Sequence, residues 1–235
     1  MCAMRVTGDL RRELILAAAK RCFARYGFAG TTTKRIASTA EISEALVFKH
    51  FASKSALYAE TLTETCKTDP TLQWLLSLPP STATLVTLMR EMVKHFMKAA
   101  HCPDQDEAQR MRLLFSSYLD DGDFARLLYN KITELIAPLF RASIERAVAV
   151  GDAEPVAGDP LTIFFFAHQF VHIVALSKLP ASSPVPYPDE PDFERLVCEF
   201  ALRGIGLKEK AIADHLKRDS APDADLANLM TSESA

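Results

Sequence analysis

Apolar residues recur at intervals of three and four along nearly the whole chain, and this spacing restricts the possible folds more than any other feature. Ile15, Ala19 and Phe23 show it in the first segment. No convincing run of alternating apolar and polar residues, the pattern of a half-buried strand, accompanies it. The 8 glycines among 235 residues are few, which favours helices over many tight hairpins. The sequence therefore predicts an all-α fold.

Caps and a glycine divide the first part of the chain into four predicted helices. Gly27 ends the first, because glycine readily adopts the left-handed conformation that closes a helix. Thr31 or Thr32 caps the second, Ser43 the third and Ser53 the fourth. The predicted helices span roughly residues 9–26, 32–40, 44–51 and 54–68.

Three acidic-proline pairs mark later helix starts, with the acid as the cap and proline in the first turn. They are Asp69-Pro70, Asp159-Pro160 and Glu190-Pro191. Periodicity predicts further helices at about 81–101, 105–119 and 123–149, and Pro138 is expected to kink the last of these. A proline-rich loop, SKLPASSPVPYPDEP, precedes the final long helix, and residues 208–235 are predicted to form a flexible tail.

The second and third helices are short and are joined by only Glu41, Ile42 and Ser43. Two helices with such a turn form a helix-turn-helix, whose second helix enters the major groove of DNA. Phe48 and Phe51 are expected to anchor that helix. The predicted small core consists of Ile36, Ala37, Ala40, Ile42 and Val47, and the predicted outward-facing residues are Lys34, Arg35, Glu44, Ala45, Lys49 and His50.

The distribution of charge points to a polyanionic partner for the same segment. Residues 1–60 contain 10 Lys/Arg and 5 Asp/Glu, whereas the other 175 residues contain 17 and 25. A basic N-terminal segment in an otherwise acidic chain indicates that this segment alone binds the polyanion.

Three motifs occur in order within residues 15–62: F-x-x-x-G-F-x-x-T-T, I-A-x-x-A and F-x-H-F-x-S-K-x-x-L. Together they resemble the DNA-binding domain of the TetR/AcrR family of transcriptional regulators. The resemblance implies an all-α homodimer with a three-helix DNA-binding head, residues 1–54. It also implies a larger helical body for ligand binding and dimerisation, residues 55–207.

The resemblance implies a set of DNA contacts as well. Thr32, Lys34 and Lys54 correspond to phosphate contacts, and Lys49 and His50 flank the phosphate backbone. Residues at the start of the third helix approach base edges, where Ala45 offers a methyl group to thymine. The expected DNA-binding residues are Thr32, Lys34, Ser43, Glu44, Ala45, Phe48, Lys49, His50 and Lys54. Their structural alternatives are helix caps, solvated lysines and, for Phe48, a core position.

Two positions depart from the family pattern. Glu41 stands where the turn usually has glycine, and a left-handed glutamate there costs about 1–2 kcal/mol. Its charge also lies near the DNA. Phe48 replaces the usual tyrosine and so lacks a hydroxyl group that bonds phosphate.

The body is rich in methionine and aromatic side chains at helical spacing. Ordinary core packing accounts for most of them, but the resemblance implies a cavity among them, and such linings suit a small apolar or aromatic effector. The expected lining residues are Trp74, Met92, Phe96, Met111, Phe115, Phe140, Phe164 and Phe165.

The last two long helices carry broad apolar faces, which in the family build a four-helix dimer interface. Intramolecular packing is the alternative. A dimer is also what a small head needs in order to read a pseudo-palindromic operator. The expected interface residues are Phe166, Phe170, Val174, Phe193, Val197 and Phe200.

His168 and His172 are four residues apart and so share a helix face that could hold a metal. No third ligand is evident, so a place in the core or at the interface is expected, with neither metal nor cofactor. Five cysteines without a C-x-x-C pair suit a reducing cytosol. The run IFFFAHQFVHIVAL is expected to be too short to cross a membrane, and with no evident secretory signal the sequence predicts a soluble cytoplasmic protein.

These features predict a ligand-responsive DNA-binding regulator, foremost a repressor that a small molecule releases from its operator. A DNA-binding protein that ignores ligands is the main alternative. A small helical enzyme is the other, although the chain has no G-x-S-x-G, no H-E-x-x-H and no phosphate-binding glycine loop. The prediction is that the protein is not an enzyme.

Overall fold

In the computed structural model of the protein, the described residues are 8–101, 106–119, 122–180, 183–187 and 192–218. They form eleven helices and no strand, apart from one isolated bridge between Ala153 and Leu207. The helices are α1 (Gly8–Gly30), α2 (Thr33–Thr39), α3 (Glu44–His50), α4 (Lys54–Thr68), α5 (Pro70–Ser77), α6 (Thr82–His101), α7 (Asp106–Leu119), α8 (Asp123–Ala149), α9 (Pro160–Ser177), α10 (Phe193–Gly204) and α11 (Glu209–Arg218). The predicted all-α fold is confirmed.

The local signals place the helix boundaries of the head correctly. Gly27 interrupts α1 with a positive φ of 64°, so the regular helix ends there. The Thr32 hydroxyl accepts a hydrogen bond from the Arg35 N–H, which settles the choice between the two threonines. The Ser43 and Ser53 hydroxyl groups likewise accept from the N–H groups of residues 46 and 56.

Two of the three acidic-proline pairs are confirmed as helix starts. Asp69 accepts a hydrogen bond from the Leu72 N–H, and Asp159 accepts one from the Leu161 N–H. The third pair, residues 190–191, lies outside the described residues. The last long helix begins at Phe193 instead.

The chain forms two compact units. The first comprises the described residues within 8–77, 98–136 and 174–186. Its core joins buried side chains of the head and α4, among them Ile15, Ile36 and Leu57, to Leu114 and Phe124 of α7 and α8. The compact unit around the head is therefore larger than the predicted domain of residues 1–54, because α7 and α8 complete its core.

The second unit comprises the described residues within 78–97, 137–173 and 187–218. Its buried side chains include Met89, Phe140, Phe164 and Leu202, and the Phe140 and Phe164 rings lie 5.0 Å apart between centroids.

The prediction of a flexible tail from residue 208 is wrong for α11. The Lys208 N–H donates to the Asp152 backbone oxygen at 2.9 Å, and Ala211 and Ile212 are buried. Arg203 pairs with Glu209 at the start of the helix. An apolar face and a backbone anchor therefore hold this segment, while residues 219–235 lie outside the described part of the chain.

Helix α9 is long and apolar enough to cross a membrane by length and composition alone. The helix reaches this length because it continues past the apolar run at both ends to span 18 residues. Buried core helices of water-soluble proteins pass the same test, and 39% of this helix is buried within the protein.

Candidate nucleic-acid interface

The turn between α2 and α3 has a backbone conformation that is rare for its sequence. Glu41 has a φ of 55°, and it is the one non-glycine residue with positive φ among those the structure describes. The Ile42 N–H donates to the Ala37 backbone oxygen at 3.0 Å and so closes the turn. The left-handed conformation of Glu41 lets α3 begin after only four linking residues, 40–43.

Helix α3 is held against the head from one side. Val47 and Phe51 are buried beside Ile36 and Ala37, and Ala40 and Ile42 pack partly against the same cluster. The Arg12 guanidinium lies 4.9 Å from the centre of the Phe51 ring. The predicted small core is thus present.

The opposite side of α3 faces solvent. The predicted outward-facing side chains of Lys34, Arg35, Glu44, Ala45 and Lys49 are exposed, and His50 is half-buried. Phe48 contradicts the expectation of an anchoring ring, since 49% of it is exposed. The helix has one buried side only, and Val47 and Phe51 already occupy it.

A hydrogen bond that the sequence did not suggest links α2 to α3. The Thr33 hydroxyl donates to the Oε1 atom of Glu44. Because Glu44 is the first residue of α3, this bond fixes the position of its carboxylate beside the end of α2. A threonine and a glutamate eleven residues apart carry no pattern that would have revealed the pairing.

Arg35 is likewise tied to the head. Its Nη1 atom donates to the Gly30 backbone oxygen at 3.0 Å, and its guanidinium lies 4.1 Å from the centre of the Tyr26 ring. The side chain is exposed but directed, so its charge has a defined position next to the predicted DNA surface.

Lys54 differs from the expected free phosphate ligand. Its ammonium donates to the backbone oxygens of Phe28 at 3.0 Å and Thr31 at 3.1 Å, and burial lowers its pKa. Of its three N–H groups, only one is left for a phosphate. Lys54 therefore joins the start of α4 to the segment before α2. Only its third N–H group is left to make the expected phosphate contact.

The residues expected to line an effector cavity fall in both compact units. In the first unit Met111 is buried, Phe115 is half-buried and Trp74 is exposed. In the second, Phe96, Phe140 and Phe164 are buried, and Met92 and Phe165 are half-buried.

The second unit also gathers two histidines around Phe96. The His172 ring lies 3.9 Å from that of Phe96 and 4.5 Å from that of His168, and both histidines are buried. Burial, followed by the charges of His168 and His95, lowers the pKa of His172 to about 2. Within the described parts of the chain, no three His, Cys, Asp or Glu side chains converge in a way that would hold a metal ion.

A surface cleft of about 220 Å³ in the second unit was not suggested by the sequence. It contains none of the expected lining residues. The Thr82 hydroxyl donates to the Asp152 carboxylate at 2.7 Å at its edge. The cleft is lined by Pro80, Ser81, Thr82, Ala83, Arg146, Val150, Asp152 and His215.

The residues expected at a dimer interface differ in their exposure. Phe166 and Phe200 are 62% and 59% exposed, and the Phe170 and Phe200 rings lie 4.5 Å apart. Ile173 and Leu196, which the sequence analysis did not select for the interface, are also exposed. Phe193 is half-buried. Val174 and Val197 are buried within the chain, which contradicts the prediction that they lie on an exposed interface.

Residues 15–61 match the family described as bacterial regulatory proteins, tetR family. The match runs from within α1 to the middle of α4 and includes the whole helix-turn-helix. The resemblance predicted from the three motifs is therefore confirmed.

Two repressors share sequence with this chain. It is 30% identical over 128 residues to the HTH-type transcriptional repressor Rv1474c of Mycobacterium tuberculosis, a match covering 54% of this chain and 61% of that one. It is 40% identical over 50 residues to the HTH-type transcriptional repressor AcnR of Corynebacterium diphtheriae, covering 21% and 26%. The chain thus matches less than two thirds of the length of either relative.

The fold as a whole is similar to that of RolR, whose structure is known in complex with resorcinol. The likeness covers 91% of this chain and 95% of RolR, with a TM-score of 0.64 and 13% identity. At that identity, the similarity establishes the fold alone.

Proposed function

Because the chain carries the DNA-binding domain of the tetR family over residues 15–61, we propose that it is a transcriptional repressor. It binds a double-stranded operator as a homodimer and is released by a small apolar or aromatic effector. The observation that carries the proposal is the helix-turn-helix of the head, in which α3 is held on one side by Val47 and Phe51 and is open on the other.

Helix α3 enters the major groove, and the side chains at its start meet base edges. Lys34 and Lys49 bind phosphates on either side, which positions the helix without specifying sequence. The bond between Thr33 and Glu44 supports this arrangement because it fixes a polar group of α3 before DNA arrives.

The exposed apolar face of α9 and α10 is covered by a second copy of the chain. We call Phe166, Ile173, Leu196 and Phe200 the α9–α10 face. Four large apolar side chains, each 44% exposed or more, are costly to leave in water. Phe166 and Ile173 are about two turns apart on α9, and Leu196 and Phe200 are about one turn apart on α10. A two-fold dimer places two α3 helices about 34–36 Å apart, or a multiple of that, along the operator.

The effector site is assigned to the aromatic and histidine side chains of the second unit. His172 stays uncharged at neutral pH because its pKa is low, and Phe96 lies against its ring. An uncharged aromatic molecule suits such surroundings better than an anion, since no charged partner is required.

Release of DNA requires that the effector bind the conformation that is unable to bind the operator more tightly than the conformation that binds it. Helix α4 is suited to transmit the change, because Lys54 joins its start to the segment before α2. Tyr58 of the same helix lies 5.7 Å from Phe124 of α8 between ring centroids, so body residues share the core of the head. A shift of α4 then moves the DNA-binding surface.

Selection of bound duplexes from a random pool tests the proposal. The wild type is expected to enrich an inverted repeat. Lys49→Ala should bind the same repeat more weakly, whereas Lys210→Ala, which removes a lysine of α11, should leave affinity unchanged. No enrichment at low salt would overturn the proposed DNA binding.

A second measurement separates the switch from constitutive binding. Operator affinity is measured across a set of uncharged aromatic compounds for the wild type and for Phe96→Ala. The repressor model expects at least one compound to weaken DNA binding, and expects Phe96→Ala to blunt the response. Unchanged operator affinity with a bound compound would favour a DNA-binding protein that ignores ligands.

A further inference from the structure

Two apolar side chains lie next to each other on the exposed side of α3. Ala45 and Phe48 are three residues apart, so they are neighbours on the helix surface. Ala45 is exposed, and Phe48 is 49% exposed. We call them the Ala45–Phe48 patch.

The surroundings of the patch are charged rather than apolar, with the acidic Glu44 of α3 exposed as well as the basic residues. Residues 1–60 carry twice as many Lys/Arg as Asp/Glu, and Lys34, Arg35 and Lys49 are exposed on the same two helices. A phenyl ring on such a surface gains nothing from phosphate, because it has no hydrogen-bond donor and no charge. Its favourable partner on DNA must be apolar.

The major groove presents one such group. The C5 methyl of thymine projects into it, while the other groups that the base edges present there are hydrogen-bond donors and acceptors. Duplex DNA therefore offers the Ala45–Phe48 patch a single kind of apolar contact in the groove that α3 enters.

The helix that carries the patch is also held in a fixed position. Val47 and Phe51 are buried on the opposite side of α3, the Ser43 hydroxyl caps its start, and the Thr33 hydroxyl bonds Glu44. Lys49 follows Phe48 directly and provides a charge for the adjacent backbone. A fixed helix presents the patch at a defined place in the groove, so the patch can discriminate a methyl group by position.

We infer that the Ala45–Phe48 patch reads the C5 methyl group of one thymine in each operator half-site. This inference rests on the proposed function and makes Phe48 a specificity-determining residue. The phenyl ring that replaces the usual tyrosine then exchanges a phosphate contact for a base contact.

The test uses the full-length protein and the operator found by selection. Each thymine is replaced in turn by uracil, which removes only the methyl group and leaves base pairing intact. At one symmetric position, the replacement is expected to lower the affinity of the wild type about fourfold for each half-site that is changed. This factor corresponds to the burial of one methyl-sized group. Replacement at the other thymines should have little effect.

Variants assign the contact to the patch. Phe48→Ala should bind the thymine and uracil operators equally, and Phe48→Leu should retain part of the preference. Lys49→Ala is the matched control, because it should weaken binding to both operators by the same factor. Circular dichroism of each variant checks that the half-exposed substitution leaves the helices intact.

The outcomes distinguish the inference from the proposed function. Equal affinity of the wild type for all thymine and uracil operators would overturn the inference while leaving the repressor in place. An undiminished thymine preference in Phe48→Ala would do the same. Absence of binding to any duplex would instead remove the proposed function, and the inference with it.

Discussion

The Nζ atom of Lys54 lies 3.0 Å from the backbone oxygen of Phe28 and 4.1 Å from the centre of its ring. A second bond, to the Thr31 oxygen, completes the contact. One ammonium therefore satisfies two carbonyl groups at the end of α1 and joins them to the first residue of α4. This role is structural, whatever the third N–H group binds.

Lys54→Met is expected to destabilise the head as well as weaken DNA binding. Loss of charge-assisted hydrogen bonds to two carbonyl groups should lower the free energy of unfolding by about 2 kcal/mol. Urea unfolding followed by circular dichroism measures it. Lys49→Met is the control and should leave stability unchanged, because Lys49 is exposed. Equal stability of the Lys54→Met and Lys49→Met proteins would show that Lys54 serves DNA alone.

Glu41→Gly should stabilise the protein by about 1 kcal/mol, because glycine adopts the left-handed φ of 55° without the clash of a Cβ atom. It should also tighten DNA binding by removing a negative charge. Glu41→Ala separates the two effects, since it loses the charge and keeps the strain. If alanine and glycine gave the same stability, the turn would not be strained.

Acid should destabilise the protein through His172. The folded pKa of about 2 lies below the ordinary 6.5, so the unfolded chain binds the proton first as pH falls. The contribution of His172 to the free energy of unfolding is therefore fully present above pH 6.5. Below that pH the free energy of unfolding decreases by about 1.4 kcal/mol per pH unit, which amounts to about 2 kcal/mol at pH 5. Thermal unfolding from pH 7 to pH 5 measures the loss.

His172→Phe should reduce this acid sensitivity by about that amount, because a phenyl ring fills the same place without a titratable nitrogen. His215→Gln, at a half-buried position of α11, is the control and should keep the wild-type pH dependence. An unchanged pH dependence in His172→Phe would assign the effect to other groups.

Phe166→Asp and Phe200→Asp should each break the proposed dimer. A carboxylate in the centre of an apolar interface is expected to raise the dissociation constant about 30-fold or more, the effect of losing one central anchor. Sedimentation velocity over a range of concentrations measures it, and operator affinity should fall in parallel. Leu119→Asp is the control, since Leu119 is 91% exposed and lies outside the α9–α10 face. A dimer that survives both phenylalanine substitutions would move the interface elsewhere.

The sequence by itself determined the head and the helices α1 to α10, but not α11. Caps such as Thr32, Ser43 and Asp69 act on N–H groups two or three residues away, and apolar spacing records which side of a helix is buried. These are local interactions, so they can be predicted along the chain. The ordered motifs around Gly27 and Phe51 identified the helix-turn-helix for the same reason.

Only the tertiary structure decided how individual side chains are used. Periodicity marks Phe48 and Phe51 alike as apolar, but α3 has room for one of them in its core, and Phe48 is left exposed. Val174 and Val197 were placed on an interface by their helices' apolar faces and are instead covered within the chain. Lys54 and Glu44 meet partners 26 and 11 residues away, on other helices. Such pairings depend on the packing of whole helices, which spacing along one helix does not encode.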